Sequence, residues 1–133
     1  MKYGYLFLFV VILLSSCMSR TNPLDPNTNS NIIVPETVNN FQATALSSTV
    51  VKLTWQKNSA ADGYYIYRSM SMDGKFIRVD NDMLYSGNIT QFLDENDAFV
   101  SETFYWYKIS AYKVYGEKKL EGYRSNPIYV YIP

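Results

Sequence analysis

The chain contains no histidine and one cysteine in 133 residues. Without histidine it lacks the commonest general base and the commonest metal ligand. Ser-His-Asp and Cys-His catalysis are therefore excluded, as are histidine-based zinc sites. The one thiol, Cys17, has no partner in the chain, so the core must hold without a disulfide. An excess of charge of one sign is also missing, since 12 Lys and Arg face 12 Asp and Glu. With no basic stripe, nucleic acid is a poor partner. There is no glycine-rich phosphate loop and no Arg-Gly-Asp. Carboxylate pairs can act without histidine, but no motif here places such a pair. The expectation is a protein that is not an enzyme and needs no cofactor.

What is present begins with an apolar run. Lys2 supplies a short positive region, and residues 6–14 (LFLFVVILL) supply a hydrophobic one. Small residues Ser15 and Ser16 follow, as in a secretory signal. The run falls short of the ~20 apolar residues that a membrane span needs. Leu14-Ser15-Ser16-Cys17 resembles a bacterial lipobox, an aliphatic residue and two small ones before cysteine. The alternative is a secretory peptide with an incidental cysteine. The resemblance implies a diacylglyceryl group on the Cys17 thiol and cleavage before it. Residues 1–16 would then be the signal peptide, and the partner at that end is the membrane. Two or more acyl chains anchor stably, at about 0.8 kcal/mol per buried CH₂. By the same resemblance, Met18 in place of Asp favours the outer membrane of a bacterial envelope over the inner. Losing Lys2 leaves 11 basic against 12 acidic residues, a net charge near −1.

Residues 17–34 comprise Cys17 and a stretch rich in Asn, Ser, Thr and Pro, which predicts a flexible linker. As a coil it would reach roughly 20–25 Å. Within it, Asn22-Pro23-Leu24-Asp25-Pro26 predicts a pair of proline turns. From Pro35 the pattern has period two. Val51–Trp55, Tyr64–Arg68, Phe76–Val79, Thr90–Leu93, Thr103–Tyr115 and Ile128–Ile132 read as strands, with a first one near Phe41–Ala43. Asp62-Gly63, Asp73-Gly74 and Gly116 mark turns. Aromatics make up 17% of the chain, 13 of them tyrosines, which suits strands. No stretch after residue 35 has helical periodicity. About seven short strands predict an antiparallel sandwich.

Residues 35–133 resemble a fibronectin type III domain. The resemblance rests on Pro35, Val38, Phe41 and Ala43 at the start, then on Trp55 closing Val51–Trp55. It continues in Ala61–Ser69, in Tyr105–Ala111, and in Ser125-Asn126-Pro127 before the last strand. It implies an all-β, seven-stranded, immunoglobulin-like sandwich. Trp55 would be its buried tryptophan, and Tyr105 its corner tyrosine, bonded to backbone near the preceding loop. The long, poorly patterned stretch Asp80–Ile89 departs from the family and leaves the edge strand there open.

Strand alternation then sorts side chains. Trp55, Tyr64, Ile66, Tyr105, Tyr107, Ile109, Ala111, Ile128, Val130 and Ile132 would face the core. Tyr65, Tyr67, Trp106, Tyr112, Tyr129 and Tyr131 would face outward on one sheet, as a candidate binding face. The plainer reading is cross-strand pairing that stabilises an open face, at about 0.2–1 kcal/mol per pair. Asp94-Glu95-Asn96-Asp97 is an oxygen-rich loop without the glycine and distal glutamate of a calcium loop, so it reads as solvated. Lys118-Lys119 reads as a hairpin tip. Asn88-Ile89-Thr90 fits a glycosylation acceptor by chance. The functional expectation is a lipid-anchored envelope module that binds a protein or a glycan, or acts as a spacer. The alternative is an accessory carbohydrate-binding lipoprotein serving a glycoside hydrolase.

Overall fold

The structure, a computed structural model, describes residues 22–133. The apolar run and Cys17 lie outside the described residues. Eight strand segments follow one another: β1 Gln42–Ala45, β2 Val50–Thr54, β3 Gly63–Ser69, β4 Ile77–Arg78, β5 Gln91–Glu95, β6 Thr103–Tyr115, β7 Lys118–Glu121 and β8 Ile128–Ile132. They form two antiparallel sheets, β1-β2-β5 and β4-β3-β6 with β7 and β8. β3 takes residues 106–112 of β6 on one side. On the other side β8 takes 103–107 and β7 takes 112–115. β7 and β8 are thus two halves of one last strand, which gives the seven-stranded sandwich of a fibronectin type III domain.

Turn chemistry sets the ends. β6 and β7 join through Gly116-Glu117, where Gly116 has φ of +61°. A two-residue hairpin turn that starts at positive φ needs glycine there. Before the sandwich, Pro23 and Pro26 each occupy the second position of a turn. Asp25 N–H donates to Asn22 O at 3.0 Å, and Thr28 N–H to Asp25 O at 3.1 Å. Hydrogen bonds to the sandwich begin at Ile33, among the described residues. Its N–H donates to the Tyr115 hydroxyl at 2.6 Å, and that hydroxyl donates to Ile33 O at 3.1 Å.

Alternation fills the core as expected. Tyr64, Ile66, Tyr107, Ile109, Ala111 and Ile132 are fully buried, with Trp55, Tyr105 and Val130 nearly so. Ile128 is half-buried against them. Trp55 meets Tyr64 edge-on at 5.2 Å between ring centroids. Its Nε1 is the one buried side-chain polar atom without a partner among the described residues. The Tyr105 hydroxyl accepts from Val100 N–H at 3.0 Å, which ties the β5–β6 loop to β6. That is the bond a corner tyrosine makes.

Asp94 is not a solvated ligand. It lies on β5 with its carboxylate turned between the sheets. Arg68 Nη1 donates to its two oxygens at 2.8 and 2.6 Å, and the Tyr107 hydroxyl donates at 2.7 Å. The Arg68 guanidinium also sits over the Phe99 ring at 4.9 Å. Among the described residues no group of three or more Cys, Asp or Glu is placed to hold a metal.

Candidate functional site

The outer face of the five-segment sheet carries all six aromatic residues singled out above, and the structure divides them into two regions. Tyr65, Tyr67 and Tyr112 form the closed one. Tyr65 and Tyr112 stack with centroids 4.6 Å apart. Arg78 covers Tyr65 at 4.1 Å, and Lys119 covers Tyr112 at 4.7 Å. Arg78 is held in turn by Asp80, at 2.9 Å, and by Asp82. Arg124 lies 3.7 Å over Tyr67. Tyr67 and Tyr112 are buried, so the expected open face is closed there. The residues that close it come from β4, which supplies Arg78, and from β7 and the segment after it, which supply Lys119 and Arg124. Lys119 is part of a strand rather than a solvated tip, and its ammonium lies over a ring.

Glu121 fixes this region. One oxygen, Oε1, accepts from Tyr67 and from Ser110, each at 2.7 Å, and from Arg124 at 3.2 Å. Burial pushes the carboxyl upward, but these hydrogen bonds outweigh it and the net shift is below the ordinary 4.5. The charged form is thus favoured by folding. Burial, then the bond to Glu121, raises Tyr67 to about 12.

A pH prediction follows from the signs. Glu121 contributes stability above its unfolded value of 4.5, and that contribution is lost as pH falls below it. Tyr67 contributes below 10 and loses that contribution between 10 and about 12. Urea midpoints measured across pH should therefore fall at both ends. Glu121→Gln should flatten the acid limb, and Tyr67→Phe the alkaline one. Unchanged slopes in both variants would show that other groups set them.

The open region is a row of rings at the far end of the same face. Trp106 and Tyr129 are cross-strand partners with centroids 5.2 Å apart. Phe104 meets Tyr129 at 5.7 Å and Tyr131 at 5.2 Å. Phe104 is 48% exposed, Tyr129 61% and Tyr131 46%, while Trp106 is half-buried. Phe104 was absent from the sequence expectation, although its parity with Trp106 on β6 carries the signal. Beside the row, Lys108 Nζ lies 4.4 Å over the Phe76 ring. The row is built of aromatic rings alone, so what it offers is contact.

Two solved structures place this fold. The FN5 domain of Drosophila Lar matches with a TM-score of 0.56 at 22% identity, over 75% of this chain and 98% of that one. A Fn3-like protein from Clostridium thermocellum matches with a TM-score of 0.57 at 20% identity, over 76% of this chain and 96% of that one. No protein-family model and no curated protein matches the sequence. The chain thus carries a single domain of fibronectin type III fold, and the likeness is one of fold.

Proposed function

We propose that this chain is a lipid-anchored protein of the bacterial cell envelope, held through Cys17, whose sandwich is a non-catalytic binding module. The outer membrane is the favoured site. The row Phe104, Trp106, Tyr129 and Tyr131 is the contact surface, and its exposure is the observation that carries the reading. Aromatic side chains bring large contact area and dominate binding hot spots. The other half of the same face is closed over by cations, so the open half stands out by contrast.

Placement supports the same reading. The chain enters the sandwich where Tyr115 grips Ile33. Phe104 lies eleven residues away along β6, roughly 35 Å at strand rise. The row is therefore at the end of the domain away from the anchored segment. A protein partner fits this surface. The alternative is a glycan, which the exposed ring faces keep in view.

The anchor and the row are tested separately. Cys17→Ser should abolish lipid labelling and release the protein from membranes, and a variant that stays bound contradicts the anchor. Phe104→Ser/Trp106→Ser/Tyr129→Ser should keep the far-ultraviolet spectrum. Binding to the envelope protein it captures, or to polysaccharide, should weaken at least about a hundredfold, since hot-spot aromatics are worth about 2 kcal/mol or more each. Undiminished binding would leave the row a packing feature.

A further inference from the structure

The β5 edge is an unpaired strand edge without proline, lysine or a bulge. Trp55 N–H donates to Thr90 O at 3.0 Å, and Asn96 N–H to Thr49 O at 2.9 Å. By alternation, Phe92 and Asp94 direct their backbone groups to β2. Gln91, Leu93 and Glu95 therefore point three N–H and three C=O groups away from the sheet. Among the described residues, none of those groups meets a partner. Edges are ordinarily blunted by proline, lysine, a bulge or extreme shortness. β5 has five residues, no proline, no lysine and no bulge, and Glu95 is the charge among its edge-facing residues. The other edges are managed. β4 has two residues. β8 lies between Pro127 and Pro133, and packs against β1 on the opposite flank.

Beside β5 runs the irregular stretch after β4, and between them lies a groove of about 500 Å³. Its rim is apolar and open, with Met83 61% exposed and Leu93 43%. An exposed strand edge of this kind is a template for another strand.

We infer that the occupant is the β5 strand of a second copy of this chain, in an antiparallel pair centred on Leu93. The register is self-complementary. Leu93 meets Leu93 across the two-fold axis, and Gln91 meets Glu95 at both ends, so no like charges oppose one another. Three facing pairs, each exchanging two bonds, give six backbone hydrogen bonds by the antiparallel rule. A two-fold interface requires this kind of self-match. The two three-stranded sheets become one six-stranded sheet. The aromatic row lies on the other sheet, so both rows stay free in the dimer, and the inference stands apart from the function proposed above.

Cross-linking of the full chain tests it. Leu93→Cys in a Cys17→Ser background leaves one thiol, at the axis. Facing residues in such a pair have Cα atoms about 5.5 Å apart, within disulfide reach. Oxidation should give covalent dimer, while Thr44→Cys, exposed on the opposite edge of the same sheet, should not. Adding Gln91→Glu sets two carboxylates together and should cut the yield several-fold. Adding Glu95→Lys as well should restore it. All four positions are on the sheet surface, and circular dichroism checks that each variant folds. A Leu93→Cys yield no higher than that of Thr44→Cys overturns the inference, whatever other peptide the edge captures. A yield indifferent to Gln91→Glu overturns it too, because the register is then wrong.

Discussion

Asp94→Ala should destabilise the domain by about 3–5 kcal/mol, the usual cost of leaving a buried partner charge uncompensated. The carboxylate receives Arg68 and Tyr107 at 2.6–2.8 Å and is 4% exposed. It is also the polar bridge between the two sheets, since Asp94 belongs to one and both partners to the other. Burial, then the Asp94 charge, raises the Tyr107 hydroxyl well above its ordinary range, so the phenol stays protonated as donor. Removing Asp94 leaves the guanidinium and the phenol facing apolar surface. The replacement Arg68→Met/Asp94→Leu/Tyr107→Phe, which removes the phenol along with the ion pair, should recover most of the loss, because a buried polar group replaced whole by packed apolar side chains is often neutral. Urea unfolding of the three proteins measures this. A single variant within about 1 kcal/mol of the parent would place the ion pair among exposed ones.

Gly63→Ala should cost about 3 kcal/mol, or roughly 15 °C in Tm for a domain of this size. The reason is space rather than backbone conformation. A Cβ at position 63 would run into the Leu84 carbonyl oxygen and the Tyr112 ring. That carbonyl accepts Tyr64 N–H at 2.9 Å and the Tyr112 hydroxyl at 3.3 Å, so it is held in place. Relief must come from the ring, which would disturb its stack on Tyr65. Thermal unfolding checks the loss, and tyrosine absorbance checks the stack. A Tm within a few degrees of the parent would mean that the β4–β5 segment gives way cheaply.

Period-two patterning made most of the sandwich legible, because each strand buries one face. β6 runs from Thr103 to Tyr115, and its burial alternates from Phe104 to Ile109 before the cover over Ser110 and Tyr112 interrupts it. Trp55 and Tyr105 stand where the resemblance to the fibronectin type III fold placed them. β7 was missed because Lys118-Lys119-Leu120-Glu121 has no apolar alternation. It is a strand through its backbone pairing with β6, and through side chains that cover tyrosines instead of entering the core. That omission produced the wrong picture of Tyr67 and Tyr112. Their direction followed from parity, but their cover came from Lys119, Glu121 and Arg124, which parity along β3 and β6 does not report. Asp94 reads as part of a solvated acidic loop, although the family resemblance also puts an Asp at the end of the fifth strand; what the sequence does not show is its burial. Its burial depends on Arg68, 26 residues earlier in the chain. Position on a face is local information, whereas cover is a property of the whole fold.

A binding face on the aromatic row must be covered in the envelope while exposed aromatics elsewhere stay open. Tyr85 is 76% exposed and Tyr123 is 79% exposed, and both lie off the row. They are internal standards for hydroxyl-radical footprinting of the protein in intact envelopes, read against the purified chain. Phe104, Trp106, Tyr129 and Tyr131 should lose labelling in the envelope while Tyr85 and Tyr123 keep theirs. Labelling of the row that matches Tyr85 and Tyr123 in both preparations would contradict the binding face.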